Sequence, residues 1–184
     1  MIYVTSDLHF CHNREFIYRP RGFDSVYEMN EALVENWNNV VNPEDDVYLL
    51  GDVMLNDNET GLKLLKNLKG NIHIALGNHD TDARIELFNS CWNVIEIECA
   101  YRLRYNGHHF FLTHFPCLTA NLEKESLKQC TCNLYGHTHQ QTNFYQDIPF
   151  MYHVGVDSHD CTPVAIDQII TDMYMKLKEC RDML

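Results

Sequence analysis

Short apolar runs that stop abruptly at polar residues recur along the chain: Ile2–Ser6, Val47–Leu50, Ile72–Leu76, Val94–Ile97, Phe110–Thr113, Leu134–Tyr135 and Met151–Val156. Runs of this kind predict buried strands. Tyr101–Tyr105 and His108–Leu112 flank Asn106-Gly107, a pair suited to a two-residue hairpin. Between the runs the apolar period changes from two to that of a helix. Ser25-Val26-Tyr27-Glu28 is a capping box, and Val26, Met29, Leu33, Trp37 and Val40 after it fall on one helical face. Thr60–Leu68 and Ala83–Phe88 predict two more helices. A last one is expected with Asp167 as its cap and Ile169, Ile170, Met173 and Leu177 inward. Alternating strands and helices, followed by a hairpin, predict an α/β fold with mixed sheets. No repeat, low-complexity tract or Gly/Ser linker interrupts the 184 residues, so one domain spanning 1–184 is expected.

The polar residues that end these runs are unusual in kind. Asp7-Leu8-His9 follows the first strand, Gly51-Asp52 the second and Gly77-Asn78-His79-Asp80 the third. Thr113-His114 follows the return strand of the hairpin, and Gly136-His137-Thr138-His139 the strand after it. Ligands of α/β sheets bind just outside the carboxyl ends of strands. Residues i and i+2 of extended chain share a side, so Asp7 with His9, and His137 with His139, are expected to converge. Glycines before Asp52, Asn78 and His137 leave room for a sharp turn. Each residue alone has an ordinary explanation as a cap, a turn former or a core histidine. Together they predict a metal centre. Mixed imidazole and carboxylate donors suit Mn²⁺, Fe²⁺ or Zn²⁺ better than Mg²⁺.

The ordered series Asp7-x-His9, Gly51-Asp52, Gly77-Asn78-His79-Asp80, His114 and Gly136-His137-x-His139 resembles the calcineurin-like metallophosphoesterase family. Arg19-Pro20, the Ser25–Trp37 helix and Val154-Gly155-Val156-Asp157 look like the small stand-alone bacterial and phage members. The resemblance implies a four-layer α/β/β/α sandwich of two mixed β-sheets. It also implies a dinuclear centre of two divalent metal ions, with manganese favoured and iron or zinc as alternatives. Asp7, His9, Asp52 and His139 would hold one ion, and Asp52, Asn78, His114 and His137 the other, with Asp52 bridging. The implied reaction is hydrolysis of a phosphomonoester or phosphodiester by a bridging hydroxide. His79 matches the general acid at the leaving oxygen, and Asp80 would orient it.

Charge and length narrow the substrate. A formal net charge of −12 argues against tight binding to a long nucleic acid backbone, although two bound cations would offset about four charges at the cleft itself. Members of the resembled family that process large nucleic acid ends usually carry capping domains; none is expected within these 184 residues, which favours a small, nucleotide-like phosphorylated substrate. His12, Arg14 and Arg21, close after the first motif, are expected to contact it. His108 and His109 are expected to be exposed, and His153, Asp157 and His159 either to close the cleft from its far side or, as the favoured reading, to pair with loop backbone. The alternatives are a nuclease acting on DNA or RNA, for which a basic stripe is missing, and a non-catalytic metal-binding scaffold, for which broken motifs would be expected. The start of the chain lacks the basic region and long apolar stretch of a signal peptide, and no run approaches the ~20 apolar residues of a membrane span. A cytoplasmic protein is therefore expected, with its eight cysteines reduced.

Overall fold

The computed structural model describes residues 1–120 and 126–182. Two mixed sheets organise it. In the first, β1 (Ile2–Thr5), β2 (Asp46–Leu49), β3 (Asn71–Ala75) and β4 (Val94–Glu98) run parallel, with neighbours in the order β4-β3-β2-β1. In the second, β5 (Tyr101–Tyr105) and β6 (His108–Thr113) form the hairpin, and β7 (Thr131–Tyr135) and β8 (Met151–His153) continue parallel to β6. Asn106 and Gly107 both take positive φ, 47° and 77°, as the tight hairpin turn requires. A short β9 (Val164–Ala165) returns to the first sheet as an antiparallel edge beside β1.

The strands of the first sheet connect through helices, as parallel pairing demands. The first is α1 (Glu15–Tyr18), a single turn. It is followed by α2 (Val26–Val40), α3 (Asn58–Lys66) and α4 (Asp82–Asn89). At α2 the Ser25 hydroxyl accepts from the Glu28 N–H at 3.2 Å, but the Glu28 carboxylate accepts from Asp24 N at 2.9 Å. The capping box therefore closes one residue further out than its sequence spacing suggests. Met29, Leu33 and Trp37 of α2 are buried against Val47, Leu49, Ile72 and Ile74 of the sheet, and the Trp37 indole donates to Lys69 O at 2.9 Å. A second apolar cluster joins the sheets to each other and to α5 (Ile166–Asp182). It holds Val4 and Ala75 from the first sheet, Phe110, Leu112, Leu134 and Tyr152 from the second, and Ile169 and Met173 from the helix.

Three expectations are corrected. The Met151–Val156 run is strand only to His153. Beyond it the chain leaves the second sheet for the first, where Gly155 bridges Ser6 in parallel and Val156 N donates to Ser6 O at 3.2 Å. Asp167 lies in the first turn of α5 rather than at its cap, and its carboxylate accepts from the Tyr105 hydroxyl at 2.9 Å. His108 is buried, with its ring nitrogen 3.0 Å from the Tyr174 hydroxyl, because α5 covers that end of the hairpin. No described helix is long and apolar enough to cross a membrane.

Candidate metal centre

Loops leaving β1, β2, β3, β6 and β7 meet at one place. The first two run side by side: Asp7 N donates to Gly51 O at 3.0 Å and His9 N to Asp52 O at 2.9 Å. The chain here is not extended, so the alternation expected from sequence is not what brings the side chains together. Asp7, His9, Asp52, His137 and His139 all take positive φ, between 49° and 68°. Left-handed backbone at residues other than glycine costs on the order of 1–3 kcal/mol each and clusters at functional sites. Glycines allow the close approach. A Cβ on Gly77 would lie 2.6 Å from Asp52 N and would overlap Asp52 Oδ1, and one on Gly136 would lie 2.5 Å from Asp7 Oδ2.

Asp52 is central. Its Oδ2 lies 3.6 Å from His9 Nε2, 3.6 Å from His114 Nε2 and 3.9 Å from His79 Nε2, while its Oδ1 accepts from His79 N at 2.9 Å. On one side Asp7 Oδ1 lies 4.0 Å from His9 Nε2 and 3.9 Å from His139 Nε2, and those two nitrogens are 3.1 Å apart. On the other, Asn78 Oδ1 is 2.9 Å from His114 Nε2, and the His137 ring packs on the His114 ring at 5.0 Å between centroids. Asp7, His9 and His139 form one set whose donor atoms all lie within 4.8 Å of one another, and Asp7, Asp52 and His114 form a second.

Divalent cations fit this donor set on grounds internal to the structure. His114 Nδ1 faces Leu50 O at 2.8 Å, and His139 Nδ1 faces Asp157 Oδ2 at 2.9 Å. An oxygen acceptor fixes the proton on Nδ1, so in each neutral ring Nε2 presents a lone pair to the centre. Those lone pairs face other acceptors: carboxylate oxygens, the Asn78 carbonyl oxygen and another imidazole. Asp7 Oδ1 is fully buried and has no hydrogen-bond partner. Such a cluster repels itself unless positive charge lies between its members.

At His9 and His137 the protonation state favours the same use. Burial pushes the His9 pKa well below its ordinary value, and that of His137 down as well, so both imidazoles are neutral and ready to donate at neutral pH. Burial pushes the Asp7 carboxyl up, against the pull of the His139 and His114 rings. At His139 burial lowers the pKa, but the Asp157 carboxylate and the charge of Asp7 outweigh it and the net shift is upward.

Around these residues lies a support that the sequence did not disclose. Asp157, for which the sequence favours loop backbone as the partner, lines the cleft and links His139 to Arg21, whose Nε and Nη2 reach its two oxygens at 2.9 and 3.1 Å. Burial raises the Asp157 carboxyl, yet His139 and the Arg21 guanidinium hold it far below the usual carboxylate range. Arg21 also donates to Asp7 O at 2.8 Å and Leu8 O at 3.1 Å, and its side chain is almost wholly buried. The expected substrate contact by Arg21 is therefore corrected: its donors are committed to the protein. Asp80, expected to orient His79, reaches it through the backbone. Its oxygens accept from the backbone N–H of Asp52, Gly77 and Val53 at 2.9, 2.8 and 3.2 Å, so it shapes the loop that carries His79 rather than gripping the ring.

The centre opens into a cleft of about 510 Å³ lined by His9, Asp52, Asn78, His79, His137 and His139 together with His12. His12 stands beside the metal ligands on this lining, its Nδ1 3.4 Å from that of His9. Arg14 is exposed at the start of α1 and does not line the cleft.

A family model described as the calcineurin-like phosphoesterase superfamily domain matches residues 1–156. The chain belongs to this superfamily. An uncharacterized protein of Methanocaldococcus jannaschii is 35% identical over 177 residues, covering 92% of this chain and 89% of its own length. The gene 66 protein of Mycobacterium phage D29 is 28% identical over 195 residues, covering 94% and 96%. The crystal structure of AQ665, a protein of unknown function from Aquifex aeolicus, matches with a TM-score of 0.70 at 25% identity, covering 93% of this chain and 98% of that one. As a calcineurin-like phosphoesterase, the chain is a metal-dependent hydrolase of phosphoester bonds, and the clustered side chains above are its candidate metal ligands.

Proposed function

We propose that this phosphoesterase uses a dinuclear centre to cleave a small phosphodiester. The observation that carries the reading is the position of Asp52 Oδ2, equally 3.6 Å from the Nε2 atoms of His9 and His114, which belong to opposite halves of the donor cluster. Asp7, His9, Asp52 and His139 would hold one ion and Asp52, Asn78, His114 and His137 the other, although Asp7 also lies within reach of the second set. Manganese suits this mixture of imidazole and carboxylate. A bound pair of divalent cations supplies Lewis acidity toward phosphoryl oxygens and a water acidic enough to attack near neutral pH.

The rest falls to the chain. Asp80 and the Arg84 guanidinium, which donates to His79 O, hold the loop so that the half-buried His79 ring borders the cleft. From there His79 delivers a proton to the leaving oxygen. Charge distinguishes diester from monoester. Among the described residues that line the cleft there is neither Lys nor Arg, so none of their side chains brings a fixed positive charge to the second charge of a monoester or the several charges of a polyphosphate. A singly charged diester suits that cleft better, and its volume suits a small molecule rather than a long nucleic acid.

The test compares hydrolysis of para-nitrophenyl phosphate with that of its bis-ester by Mn²⁺-loaded protein. The bis-ester should be preferred. Asp52→Asn should abolish turnover, and His79→Ala should lower kcat by about 10²–10⁴-fold. Failure to bind close to two ions per chain would sink the dinuclear reading, and a monoester preference would sink the diester one.

A further inference from the structure

One wall of the cleft differs from the rest. Beside the metal ligands it is built from Phe16, Ile17, Pro20 and Leu55, with His12 between them and the centre. Phe16 is 70% exposed, whereas its neighbours Ile17 and Tyr18 are 6% and 8% exposed and anchor α1 in the core. A single turn thus presents one aromatic ring to the cleft, edge-on to His12 at 5.7 Å between centroids. An aromatic ring on the lining of a concave cleft, beside a polar centre, offers a face that a ligand bound at that centre can cover.

The wall is held rigidly relative to the metal ligands. Arg14, at the head of α1, accepts from Ile17 N at 2.9 Å, and Phe23 N closes the far end on Tyr18 O at 3.1 Å. Immediately after Pro20, Arg21 ties the segment to Asp157 and to the carbonyls of Asp7 and Leu8. The arginine expected to touch substrate therefore fixes how far the aromatic wall stands from the phosphate site.

We infer that this wall receives the ring of a nucleoside phosphoester, with its single phosphate at the metal centre and its base against Phe16. The inference rests on the phosphoesterase reading and deepens it. An uncharged planar ring matches an apolar wall that has no Lys or Arg among its described residues, and Gln141 on the same lining offers an amide to the edge of a base. Aromatic stacking of a base tolerates any base identity, so the wall selects the nucleoside class rather than one nucleotide.

Mn²⁺-loaded protein is titrated calorimetrically with two singly charged diesters, the methyl esters of adenosine 5′-monophosphate and of ribose 5-phosphate, and with inorganic phosphate, for the wild type, Phe16→Ala and Phe16→Tyr. The expected result is that the adenosine diester binds about tenfold or more tightly than the ribose diester. Phe16→Ala should erase that difference and Phe16→Tyr should keep it, with affinity for the two base-free ligands changing less than twofold in both. Phe16 is exposed, so the variants should fold, which thermal melting checks. Equal affinity for the two organic phosphates, or a loss in Phe16→Ala shared by all three ligands, overturns the ring site while leaving the metal centre intact. No affinity for any phosphate overturns the phosphoesterase reading and this inference with it.

Discussion

Asp157 grips His139 from behind, and the two act on the centre as one unit. Its carboxylate fixes the proton on His139 Nδ1, which leaves Nε2 to face Asp7 and His9, and it neutralises a guanidinium that is itself buried. Asp157→Asn keeps an oxygen but loses the charge and turns an amide N–H₂ toward Arg21 or His139. Loss of such a partner behind a metal-binding histidine typically weakens metal binding by 10–100-fold. The same range is expected here by titration of the folded variant with Mn²⁺ at pH 7.5. An affinity within twofold of wild type would mean that His139 is oriented by packing alone. The ligand candidates were legible from sequence because each sits within a few residues of a strand end, which is local information. Asp157 and Arg21 were not, because their pairing spans 136 positions and exists only once the chain has crossed from the second sheet to the first. Arg21 looked like a substrate contact because it follows the first motif closely, yet burial of its side chain decides otherwise.

Strands and helices set the directions of the site, and glycines set how closely the loops approach. At Gly136, on the turn leaving β7, an added methyl would overlap the buried Ser6 hydroxyl and lie 2.5 Å from Asp7 Oδ2. Both of those atoms belong to the loop leaving β1, so Gly136→Ala should push apart the turns that carry Asp7 and His137. The expected outcome is at least a tenfold loss of Mn²⁺ affinity, with a stability cost of about 1–3 kcal/mol from overpacking. Gly107→Ala provides the contrast. There the residue has φ +77° and only Lys128 Cε, at 3.9 Å, near the new methyl. It should cost about 1 kcal/mol through backbone strain while leaving metal affinity unchanged. Urea unfolding and metal titration of both variants separate the two effects, and equal metal affinities would remove the close-approach argument. At this scale periodicity read the hairpin, α2 and the parallel strands correctly, since each depends on a buried face with its own repeat. It overran at Met151–Val156, because an apolar run says that residues are buried but not in which sheet. It also missed α1, a single turn too short to show a period, and β9, a two-residue edge.

Seen whole, the centre is the place where the two sheets share charge. The loops of β1, β2 and β3 bring Asp7, His9, Asp52, Asn78 and His79 from the first sheet, and those of β6 and β7 bring His114, His137 and His139 from the second. Without cations the folded state must hold two buried carboxylates and several inward-facing lone pairs together in a protein already carrying −12. The unfolded chain escapes that repulsion, so bound cations should contribute stability by mass action. At a free concentration of 100 times Kd, one ion adds about 2.7 kcal/mol. For a chain of this length that corresponds to a melting temperature raised by about 5–10 °C. Asp52→Asn separates the terms by sign. It removes one buried negative charge while its remaining oxygen still accepts from His79 N, so with chelator it should melt at or above the wild type. With saturating Mn²⁺ the order should invert, because the variant lacks the carboxylate between the two halves of the cluster. Thermal melts of both proteins, with chelator and across a Mn²⁺ series, read the crossing directly. Parallel curves with no crossing would show that Asp52 serves the fold rather than the ions, and the two sheets would then owe their junction to packing alone.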